Sequence, residues 1–135
     1  GVQTCALPIS LNASIRLNHQ QKEVVLNPFQ SYFFDGGDPV SSHGTCQDFN
    51  LIYKPSYQGH MSAVSPKESV KSQSRYQLIY ALCPLTLKWG TNHSQILQTH
   101  ELLVIEQPSP LQEMTITFLP HQSGEQPIAI WTGLQ

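Results

Sequence analysis

Asp48 and Asn50 are the residues of this chain best spaced to do chemistry together. Read as a strand, the run 48–53, DFNLIY, puts Asp48, Asn50 and Ile52 on one face and Phe49, Leu51 and Tyr53 on the other. Asp and Asn are poor strand formers, so two in one strand need a reason. Either they cap adjacent loops, or they line a pocket and bind a polar ligand through charge-assisted and amide hydrogen bonds. Asp35 and Asp38, in Asp-Gly-Gly-Asp, suggest paired carboxylates for acid/base work or calcium, but the pattern is more often a hydrogen-bonded turn. Gly-x-Ser-x-Gly, Cys-x-x-Cys, a phosphate-binding Gly loop and a Rossmann fingerprint are all absent.

The elements that must position these residues are strands. Prolines and turn residues recur at close spacing and no long apolar pattern of period 3.6 interrupts them, which predicts an all-β barrel or sandwich. Strands are expected at 13–17, 23–26, 30–34, 39–41 and 48–53, and again at 61–64, 76–82, 85–89, 95–97, 102–105, 114–118 and 128–131. Asp35-Gly36-Gly37-Asp38-Pro39 reverses the chain after the aromatic-rich run 30–34. Ser-rich 65–74 is expected to be a mobile loop between two halves. Ile15 and Leu17, and Leu85, Leu87 and Trp89, each present one apolar face inward, every buried side chain contributing about 1.5 to 3 kcal/mol.

An internal comparison supports two halves. Shifting the chain by 72 positions lays Ser14-Ile15-Arg16-Leu17 on Thr86-Leu87-Lys88-Trp89 and Val24-Val25 on Ile96-Leu97 without gaps. Each copy then reads as strand, tight turn, strand, connector, strand.

Pro28, Phe34-Asp35-Gly36 and Asp48-Phe49-Asn50, in this order, resemble the HutD/Ves family of cupin-like proteins. The resemblance implies an all-β, RmlC-type jelly-roll double half-barrel. It also implies a non-catalytic binding protein that senses a small carboxylate metabolite, urocanate or a formyl- or formimino-glutamate, and modulates histidine utilisation. Within the chain, Asp48, Asn50, Phe34 and Tyr53 are the expected ligand-binding residues. Family members also carry a Trp, an Arg or other basic residue, an Asn, glycines and a Phe-Pro-Gly stretch near their start. Apart from Gly1, none of these precedes Leu11, so those ligand residues cannot be carried over.

Residues 1–10, GVQTCALPIS, back-translate to a string that looks like a sequencing-library adapter and are set aside as an assembly scar. The alternative is a genuine β-prone segment, 4–9. On the scar reading the natural N-terminus is missing. Residues 11–135 are then a partial double cupin, with 11–64 the remainder of the first half and 75–135 the second.

Cupin enzymes hold iron, manganese or zinc through a His-x-His pair, a Glu several residues on and a later His. Here His19, His43, His60, His93, His100 and His121 are scattered, mostly in apparent turns, so no metal, cofactor or catalytic residue is expected. The alternative class is a metal-dependent cupin isomerase or dioxygenase whose catalytic groups lie upstream of this chain; a third is a structural assembly module. Charged residues are 12% and the net charge is -2, which gives no basic patch for nucleic acid. No apolar run reaches the roughly 20 residues of a membrane span. Cys46 and Cys83 read as unpaired thiols of a cytoplasmic protein. The partners expected are thus the metabolite and a second copy in a homodimer, with neither nucleic acid nor membrane.

Overall fold

A computed structural model describes residues 4–135. Every regular element among them is a β-strand, and the chain divides into two compact units, Gly1–Ser62 and Ala63–Gln135.

In the first unit β1 (Cys5–Ser10), β2 (Ile15–His19), β3 (Lys22–Leu26), β4 (Phe34–Asp35), β5 (Val40–His43) and β6 (Asp48–Tyr53) form two antiparallel sheets, β4-β1-β6 and β3-β2-β5. Cys5 to Ser10, set aside on the sequence, is folded as the middle strand of its sheet, with Leu7 and Ile9 buried. Residues 30–34 do not make the full strand expected. Pro28 and Phe29, the latter at φ 68°, form a turn in which Gln30 N donates to Asn27 O. The chain then runs along β1 by single contacts, Tyr32 N to Pro8 O and the Ile9–Ser31 bridge, before pairing at Phe34 and Asp35.

β7 (Gly59–Val64) leads into the second unit. There the strands are β8 (Ser69–Ser72), β9 (Tyr76–Ala81), β10 (Leu85–Trp89), β11 (His93–Leu97), β12 (Leu102–Glu106), β13 (Met114–Pro120) and β14 (Ala129–Leu134). The sheet orders are β12-β9-β14-β7 and β11-β10-β13-β8. The segment 65–74, expected to be a loop, contains β8, paired with β13 from Ser69–Thr117 to Ser72–Met114. Val70 drives this by packing against the buried core, which outweighs the poor strand propensity of its serines. That core includes Ile79, Leu85, Leu87, Ile116 and Phe118, all shielded from solvent.

The two units repeat one topology, with β1 to β6 corresponding to β9 to β14. The pair Cys5–Asp35 matches Tyr76–Glu106, and Ser10–Asp48 matches Ala81–Ala129. The hairpin opened by Ile15–Leu26 matches that opened by Leu85–Leu97. The shift of the sequence comparison is corrected in both strands of this hairpin: Ile15 corresponds to Leu85, not Leu87, and Leu26, not Val25, to Leu97. Gln20 and Gln21, both at positive φ, turn the first copy, whereas Gly90, Thr91 and Asn92 turn the second, so a single shift cannot align both strands.

Candidate functional site

The first unit holds a cavity of about 630 Å³, a size ordinary for a small-molecule site. Ile15, Leu17, Leu26, Phe34 and Val40 give it apolar walls, and Ser41, Ser42, Asp38, Asp48 and Asn50 supply polar groups. Pro8 and Ser10 of β1 also line it; they stand opposite Asn50 and Asp48 on β6. Asp48 and Asn50 thus share one face with their side chains exposed, as the alternation of β6 predicted.

Phe34 joins them, but Tyr53 does not line the cavity. The expected grouping with Tyr53 fails for a simple reason: it is an odd number of residues from both Asp48 and Asn50, so the pleat turns it to the opposite face. There its ring lies so close to Gly59 that a Cβ on Gly59 would come within 2.6 Å of Cζ. Burial pushes the Tyr53 phenol above its ordinary pKa, reinforced by Cys5 and partly offset by a hydrogen bond with the Gly59 backbone.

A cavity exists here because side chains that fill the second unit are absent from the first. Leu17 faces Ser42 across β2 and β5, whereas Leu87 faces Phe118 across β10 and β13. Pro8 faces Asn50, whereas Ile79 faces Trp131. Phe118 is buried in the second unit's core, and the Trp131 indole donates to Gln77 Oε1 at 2.9 Å. Two large aromatics are replaced by a serine and an asparagine, and the space they vacate is lined by hydrogen-bonding groups.

One arrangement was not legible in the sequence. His19, at the end of β2, places Nε2 2.7 Å from Asp38 Oδ2 and Nδ1 2.8 Å from the Tyr32 hydroxyl. An ionised carboxylate can only accept, so Nε2–H donates to Asp38; in the neutral imidazole Nδ1 then accepts from the Tyr32 O–H. His19 and Asp38 are largely buried, with side-chain exposures of 12% and 23%. Both Tyr32 and Phe34 pack against the imidazole, at centroid separations of 5.6 Å and 5.9 Å. The turn role expected for Asp35 and Asp38 is present as well, Asp38 N donating to Asp35 O. The Asp-Gly-Gly-Asp turn therefore fixes a cavity-lining carboxylate that a histidine holds in place.

Among the described residues no group of three or more His, Cys, Asp or Glu side chains is placed to hold a metal ion. No helix among them is long and apolar enough to cross a membrane. Cys5, Cys46 and Cys83 are all free thiols. Cys46 lines the cavity, while Cys83 lies in the second unit beside Ile128, where burial raises its pKa.

Two repeated antiparallel jelly-roll units, one of them hollow and lined with polar groups, define a cupin-like protein. The HutD family model matches residues 11–122, and the chain belongs to the HutD family. Two solved structures carry the same fold. A conserved protein of unknown function from Pseudomonas aeruginosa is 19% identical with a TM-score of 0.81; the match covers 98% of this chain and 72% of that one. HutD from Pseudomonas fluorescens, determined in a formate condition, is also 19% identical, with a TM-score of 0.74 over 100% of this chain and 70% of that one. No curated protein matches the chain significantly.

Proposed function

We propose that this chain is a non-catalytic, small-molecule-binding member of the HutD family whose ligand occupies the first unit's cavity. The carrying observation is that cavity itself, at positions where the second unit is filled by Phe118 and Trp131. Phe34 and the aliphatic walls exclude water, and Asp48, Asn50, Ser41 and Ser42 select by hydrogen bonding. Tyr53 has no part in this site.

The family relationship supports a metabolite of histidine breakdown as ligand, urocanate or a formyl- or formimino-glutamate, whose occupancy modulates histidine utilisation in the cytoplasm. The test is a thermal-unfolding scan of the protein with each metabolite, with and without a chelator. A ligand that binds only the folded state raises the midpoint. A chelator-insensitive rise with one of these metabolites is the expected result. A midpoint that falls with chelator and ignores all of them would overturn the reading in favour of a metal-dependent enzyme.

A further inference from the structure

The charges around the cavity restrict which end of a ligand can enter it. Among the described residues no lysine or arginine lines it, whereas Asp38 and Asp48 both do. The Asp38 carboxylate already accepts a hydrogen bond from His19 Nε2 at 2.7 Å. Asp48 has no ion pair among the described residues, and it stands two positions from Asn50 on the same face of β6. A ligand carboxylate entering here would meet two acceptor-only groups of its own sign, with a single amide and hydroxyls as donors. An amidinium or imidazolium would instead donate to Asp48 and to the Asn50 amide oxygen, with its flat apolar part against Phe34.

We propose that the cavity recognises its ligand through a planar, cationic nitrogen group of the amidinium or imidazolium kind, with Asp48 as the residue that selects for it. The inference rests on the cavity being the binding site. A molecule with both a carboxylate and such a nitrogen group enters this part of the cavity nitrogen first.

Three probes of one shape separate the alternatives: benzamidine, benzamide and benzoate, titrated calorimetrically into the protein. Benzamidine should bind more tightly than benzoate by about tenfold or more, the difference that one charge-assisted contact supplies, with benzamide between them. Asp48→Asn should bring the three affinities together while leaving the melting midpoint in place, because Asp48 is exposed on its strand and the substitution keeps its shape. If that variant does not fold, Asp48→Ser serves the same comparison. Benzoate binding as tightly as benzamidine would overturn the proposal, as would a preference for benzamidine that survives the loss of Asp48. Should no probe bind while a metabolite still raises the midpoint, the nitrogen-end proposal fails and the cavity reading stands. If Ser42→Phe leaves probe and metabolite binding unchanged, binding lies elsewhere and both fail.

Discussion

Asn50 and Trp131 occupy the same place in the two copies of one fold, each facing the middle of its central strand, at Pro8 and Ile79 respectively. Exchanging their sizes should exchange the properties of the two units. Asn50→Trp is expected to abolish ligand-dependent shifts in the melting midpoint. Trp131→Ala should cost about 3 to 5 kcal/mol by urea denaturation, the range for removing a buried aromatic, with the loss increased by the orphaned Gln77 amide.

His19→Leu should destabilise the first unit by about 1.5 to 3 kcal/mol, because it leaves the Asp38 carboxylate and the Tyr32 hydroxyl without their shared partner. Tyr32→Phe removes only the neutral bond and should cost about 0.5 to 1.5 kcal/mol. Chemical denaturation of the two variants checks the order; equal losses would mean that the histidine contributes by packing alone.

The two cysteines should respond differently to alkylation. Cys46 lines the cavity, so its modification should block ligand binding and bound ligand should slow the reaction. Burial holds the Cys83 thiol protonated past the ordinary thiol range of about 8.5, so its alkylation should accelerate only at more alkaline pH and ignore ligand. Peptide mass spectrometry after timed iodoacetamide labelling at a series of pH values reads both.

Tyr53 gives the pH dependence a sign. Its phenol is harder to ionise in the folded state than in the unfolded one, so its contribution is fully present below the unfolded value of about 10 and is lost as pH rises through the folded value. Unfolding midpoints should therefore decline on the alkaline side, and Tyr53→Phe should flatten that limb. An unchanged limb would assign the decline to other groups. Gly59→Ala should destabilise for a separate reason, the clash of its Cβ with the same ring.

Alternation carried most of the fold into view. β6 and β10 occupy the residues expected because each alternates over its whole length, Leu51 and Leu87 being buried between more accessible neighbours. β8 escaped notice because one valine among serines and a lysine gives almost no periodic signal; its partner β13 supplies the reason to be a strand. Asp48 and Asn50 were visible as an anomaly in their strand. His19 and Asp38 were not, since their contact depends on where the β2 hairpin and the Asp-Gly-Gly-Asp turn bring two distant positions. Ser42 was invisible for a different reason: a small residue that makes room leaves no mark until its counterpart Phe118 is known.

The hollow in the first unit has a consequence for how such a protein would signal. The second unit packs its interior with its own side chains, Leu87 and Phe118 among them. On the proposed reading, a bound molecule would take the place in the first unit that Phe118 and Trp131 hold in the other copy and would act as a detachable piece of its interior. Such binding would then register mainly as a gain of order across β2, β5 and β6, and a downstream partner would read the stiffness of this surface more than any change in its outline.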